Sequence, residues 1–342
     1  FEEICKEKED LESLLNLARI EFIHVDYDKT LDYLHRALKA FEYSPLTHYW
    51  LSRTYFKMFN DRLAFEEINK AIDLDRSRLE FYTLKMDILI NNKAYDAAKE
   101  ILDFLNDNNI SEMNIYAFYD AYLKEKTSED KEVVLKLYRE VEKRYDEGDV
   151  LFIPGRLFYN IAYLELANKD VSKEEDGQCI LDILDKGLLI EKNDADLLFF
   201  KAWVYRQSKE YDKALDIYKY MEAFPFHSLN VEHNLAEVYY KRIYKDLDKA
   251  LYYYTYLIEK SPNCGEYYFY AGTCYRYLKE FDKAEEIFKK EMEVDPTDID
   301  GYRGLSYVYE YKKAYPKLLS LLHTMIDRTE EDKKKAPLYF RV

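Results

Sequence analysis

The chain repeats a pattern every 34 residues, and that period limits its fold more than any other feature. Units begin near Leu11, Pro45, Leu79, Glu112, Gly155, Ala195, Leu229, Gly265 and Ile299. A period of this length is one two-helix hairpin, too small to bury its own apolar face and stable only when stacked on its neighbours. Within a unit the apolar residues recur at offsets of three and four, which marks a helical face rather than a strand. Only 8 glycines and 7 prolines occur in 342 residues, which suits helices joined by short turns. The expected fold class is all-α, a solenoid of about nine helix pairs.

The interior chemistry repeats with the spacing. Position 24 of the units holds Leu34, Ile68, Leu102, Tyr138, Leu184, Tyr218, Tyr254, Phe288 and Leu322, all large and apolar or aromatic. Position 8 is mostly small (Ala18, Ser52, Ala162, Ala202, Ala236, Gly272, Ser306), as a close helix crossing requires. Position 11 holds Tyr55, Tyr122, Tyr205, Tyr239, Tyr275 and Tyr309; position 20 holds Ala64, Ala98, Ala214, Ala250 and Ala284. Pro262 and Pro296 fall at position 32, where a helix must stop. The best unit reads Tyr268, Ala271, Gly272, Tyr275, Phe281, Ala284, Phe288 and Pro296. This pattern resembles the tetratricopeptide repeat over residues 11 to about 330. The resemblance implies a right-handed α-α superhelix whose concave surface receives another protein or a peptide. Units four and five match poorly, Glu21 and Glu165 replace the position-11 tyrosine, and Glu291 stands at position 27 where the family has alanine.

Irregular intervals mark three insertions: 146–154 after the fourth unit, Ala167 to Gln178 inside the fifth, and two residues near Arg242-Ile243 in the seventh. Insertions in repeat arrays map to loops. Phe1 and Ile4 fall where positions 24 and 27 of an earlier unit would lie, so residues 1–10 read as the end of a preceding helix or cap. Residues 11–330 read as one solenoid and 331–342 as a short tail.

Composition excludes several functions. A net charge of −16 argues against a nucleic-acid partner or an anionic membrane for this region. No apolar run is long enough to span a bilayer. Cys5, Cys179, Cys264 and Cys274 show no paired metal-ligand spacing and read as free thiols of a reducing, cytoplasmic environment, with a Cys264–Cys274 disulfide as the alternative. The six histidines are scattered, and no phosphate loop, zinc-helix or nucleophile-elbow motif occurs. We therefore expect no enzyme activity, no metal and no cofactor.

The first helix of each unit carries a second stripe at positions 2, 5, 9 and 12, distinct from the face packed on its partner helix. In the family this stripe lines the concave surface. Here it holds Tyr49, Arg53, Tyr159, Tyr163, Phe199, Trp203, Arg206, Tyr240, Phe269, Arg276, Arg303 and Tyr307. Aromatics interleaved with arginine are the composition of binding hot spots, and arginine pairs with carboxylates in bidentate fashion. The alternative for any one aromatic is packing between adjacent units. The expected partner is another protein or an extended peptide carrying an acidic group. The Lys and Asn pair by which a subclass of the family clamps chaperone tails is missing from every unit. Three outputs remain open: a plain scaffold, a peptide-sensing regulatory module or co-chaperone whose output domain lies elsewhere, and the substrate-recruiting part of a larger enzyme.

Overall fold

In the computed structural model, residues 10–108, 113–127, 130–146, 155–224, 227–241 and 246–328 are described. The 146–154 insertion (apart from Asp146), the Arg242-Ile243 insertion, residues 1–9 and the 331–342 tail lie outside them.

Eighteen α-helices and a single 3₁₀ turn, Leu166–Asn168, make up the regular structure of the described residues. The first helices of successive pairs are α1 (Leu11–Ile23), α3 (Pro45–Lys57), α5 (Leu79–Asn91), α7 (Met113–Lys126), α9 (Arg156–Glu165), α11 (Ala195–Gln207), α13 (Asn230–Lys241), α15 (Gly265–Tyr277) and α17 (Ile299–Tyr311). Each starts within one residue of the expected unit start. The second helices are α2 (Tyr27–Ala40), α4 (Asp61–Leu74), α6 (Tyr95–Asp107), α8 (Lys131–Asp146), α10 (Glu174–Ile190), α12 (Tyr211–Glu222), α14 (Leu247–Lys260), α16 (Phe281–Val294) and α18 (Tyr315–Arg328).

Local chemistry sets the boundaries. Asp10 caps α1, accepting from the Ser13 amide at 2.8 Å. Ser44 caps α3, with Pro45 following at the first helical position. Asp194 accepts from the Asp196 and Leu197 amides at the start of α11. Between first and second helices the chain turns through a left-handed residue at the same place in six units: Val25, Phe59, Lys93, Lys209, Lys279 and Lys313, with φ between 54° and 63°. None is glycine, so each carries the steric cost of that conformation.

Two compact bodies divide the chain: one holds α1–α11, the other α12–α18. In each, position-24 side chains fill the core against position-8 residues that are small except at Met86 and Tyr119 in the first body. Phe288 is fully buried in the second body. A Cβ on Gly272 would come within 2.8 Å of its ring, and one on Gly304 within 2.3 Å. In the first body the position-8 hydroxyl of Ser52 donates to the Ala64 carbonyl at 2.7 Å, so close crossing also satisfies a buried polar group.

The departure at Glu165 has partners. Glu165 accepts from Arg139 at 2.6 Å, and Arg139 also reaches Glu142 at 2.6 Å. The insertion expected as a loop over Ala167 to Gln178 is partly helical, because α10 begins at Glu174 and runs for 17 residues. Its Val171 is buried in the core, and its carbonyl accepts from the Ser208 hydroxyl at 2.6 Å. Cys179, Cys264 and Cys274 are free. Cys264 caps α15 and Cys274 lies on the same helix. Ten residues of α-helix place them about 15 Å apart, too far for a disulfide.

Candidate partner-binding groove

Within the first body, the stripe begins with a stack of cations and rings. The Arg53 guanidinium lies 5.2 Å from the Phe22 ring centre and 5.1 Å from that of Trp50, and Arg19 sits 5.7 Å from Trp50 on its own side. Neither arginine has an ion pair within 4.0 Å among the described residues. Tyr49 is half-buried and stacks on Phe81 of the next unit at 5.3 Å. Tyr159 meets Phe200 edge-on at 5.4 Å, and Trp203 lies 5.9 Å from the same ring. These position-5 and position-9 aromatics therefore serve partly as packing between units. Phe199 is half-buried, whereas Tyr163 is open, 51% exposed. With the Gln207 amide turned to suit its neighbours, its oxygen accepts from Trp203 Nε1 at 3.1 Å and from Arg206 at 3.3 Å.

A second set of groups in this body was not read from the stripe. Lys57 Nζ donates to Asp194 Oδ2 at 3.2 Å, and the Asn193 amide donates to the Ile23 carbonyl at 2.5 Å. Arg156 reaches the Tyr122 hydroxyl at 3.3 Å and Asp196 at 3.4 Å. Tyr119 donates to Asp87 at 3.0 Å. Burial pushes the Asp87 carboxyl up to about 6, against the pull of Arg156 and the Tyr119 hydroxyl. Burial and the neighbouring Asp194 raise Glu191. Burial opposes ionisation of Asp194 as well, but Lys57 and the Leu197 amide hold it below its usual value. Lys57 occupies position 13 of its unit, and Arg156 and Asp196 occupy position 2. Position 2 belongs to the stripe itself and position 13 follows position 9 by four, so reading out the residues at both would have found them. Asp194 stands in a turn, outside any helical register.

In the second body the stripe forms a ladder across three first helices. Tyr240 on α13 lies 6.5 Å from Tyr277 and 5.5 Å from Tyr270, both on α15. The Arg276 guanidinium sits 4.4 Å from the Tyr277 ring and 5.3 Å from Tyr307 on α17. Tyr277 and Tyr307 are each 44% exposed. Arg276 Nε is buried without a hydrogen-bond partner, and no carboxylate lies within 4.0 Å of this guanidinium among the described residues. Arg303 is exposed and already paired to Asp300 at 2.7 Å. Phe269 is half-buried against Tyr270 and Phe288, at 5.3 and 6.3 Å. The structure thus brings Tyr240, Arg276 and Tyr307 together, adds Tyr277, and leaves Phe269 mainly in the core.

Comparison with known proteins agrees with the repeat geometry. The tetratricopeptide-repeat family model matches residues 265–298, the unit of α15 and α16. Among solved structures, the chain is similar to MamA of Desulfovibrio magneticus RS-1 (17% identity, 52% of this chain and 97% of that one, TM-score 0.46). It is also similar to human IFIT1, solved as a dimer with PPP-AAAA (10% identity, 90% of this chain and 70% of that one, TM-score 0.48). No helix of the described residues is long and apolar enough to cross a membrane. The matched unit is one of a series of helix pairs, and residues 265–298 carry the tetratricopeptide repeat that the family model describes.

Proposed function

We propose that this protein is a non-catalytic scaffold that captures an extended, acidic segment of another protein on the stripe of its first helices. Tetratricopeptide repeats are protein-interaction modules, and the stripe here is aromatic with arginines interleaved, Asp87, Asp120, Glu237 and Glu310 being its acidic exceptions, in a chain of net charge −16. The observation that carries the reading is Arg276. Its guanidinium is held between two half-exposed tyrosine rings, with no carboxylate within 4.0 Å of it among the described residues. Pre-orienting a guanidinium lowers the entropy lost when it binds a partner carboxylate.

Capture of the natural partner from lysate tests this. Arg276→Glu and Tyr307→Ala are expected to abolish capture while helical content is retained, since truncating an anchor costs about 2 kcal/mol or more of binding. Lys289→Glu on the second helix α16 serves as the control and is expected to bind normally. Normal binding by both stripe variants would refute the reading.

A further inference from the structure

The first body is closed on itself by contacts between residues far apart in sequence. Asn193 bonds to the Ile23 carbonyl across 170 residues, and Lys57 pairs with Asp194 across 137. They tie the C-terminal ends of α1 and α3 to the turn before α11. Both are polar, and the Lys57 side chain remains 34% exposed. Such contacts release more readily than the interdigitated rings beside them.

The closure adjoins the Phe22–Trp50–Arg53 stack. Tyr27, whose ring lies 5.5 Å from Phe22, sits in the field of Lys57, Asp194 and Arg53 together. The turn also carries more negative charge than its lysine balances. Glu191 has no ion pair within 4.0 Å among the described residues, and Asp196 has only the long contact to Arg156. Lys57 makes the direct ion pair with Asp194, and Arg53 and Arg156 add attraction from farther off, in a turn whose carboxylates repel one another.

We propose that Lys57–Asp194 and Asn193–Ile23 form a latch over the stripe of the first body. Closed, it screens the half-buried Phe22, Trp50 and Arg53. Open, it admits an extended partner segment whose carboxylates Arg53 and Arg19 receive. The role of the opened site rests on the scaffold reading above, but the latch itself can be tested without any partner.

The chain has two tryptophans, so Trp203→Phe leaves Trp50 as the sole indole reporter. Its quenching by acrylamide reads access to the stack. Asp194→Asn removes the charge while keeping a side-chain oxygen to cap α11. Lys57→Met removes the other charge and keeps the aliphatic stem. Both are expected to raise the quenching constant about twofold or more, with helical content by circular dichroism unchanged. Lys289→Met, in the other body, should change nothing. Unchanged quenching in both variants overturns the latch. So does a rise that comes only with lost helical content, because the contacts would then be a structural brace. If the latch opens as expected while Arg276→Glu still binds the partner, the scaffold reading fails and the latch stands.

Discussion

Glu291 should make the second body lose stability as the solution turns alkaline. Its side chain is 0% exposed, and both carboxylate oxygens are buried without hydrogen-bond partners. The carboxyl lies against the start of α17, where a Cβ on Gly301 would meet Oε2 at 2.6 Å. Burial, then the nearby Asp298 and Asp300, raise it from 4.5 to about 8. The folded protein therefore keeps this proton at pH values where the unfolded chain has lost it. The stabilisation is complete below about pH 4.5, declines as pH rises, and is gone above about pH 8. A shift of this size corresponds to a ceiling of about 5 kcal/mol. Relaxation and water entry should reduce that to roughly 2–4 kcal/mol. Glu291→Gln keeps the shape and cannot ionise, so the other titrating groups cancel in the comparison. Urea unfolding of both proteins at pH 5 and pH 9, followed by circular dichroism, should give similar midpoints at pH 5. At pH 9 the variant should be the more stable by that margin. Parallel stability across the pH range would refute the buried-acid account.

Two other substitutions test the packing and turn arguments. Phe59 holds a φ of 57° and is 82% exposed, so Phe59→Gly should relieve the left-handed strain at little packing cost and raise stability by about 1 kcal/mol in a thermal melt. Gly304→Ala places a methyl within 2.3 Å of Phe288 and should destabilise the second body by about 1–3 kcal/mol; an unchanged melting temperature would show that the Phe288 ring yields freely.

Periodicity alone was enough to place the helix starts, because caps such as Asp10, Ser44 and Asp194 and the position-8 and position-24 residues act within a unit or between immediate neighbours. The stripe was legible only in part. Whether Tyr49 or Tyr159 is open depends on how closely the next unit stacks, and Phe81 and Phe200 take up their rings. Arg276 was found by position, but its pairing with Tyr277 was not, since position 13 was not read. The approach of Asp194 to Lys57 arises from small rotations summed over several units. No local motif encodes that sum, and the acidic turn looked like an ordinary cap.

The contacts of Ile23 and Lys57 with the turn at 193–194 also change how the first body can come apart. In an open array each hairpin touches only its neighbours, so an end unit can peel away alone and stability adds unit by unit. Here α1 cannot fray without giving up a bond to a residue 170 positions along the chain. Unfolding from that end is thus linked to the sixth unit, and the body should melt more sharply than a one-dimensional chain of equal length. Folding bears the converse burden. A loop of 137 residues must close before Lys57 finds Asp194, so this contact should form late, after the local hairpins are in place.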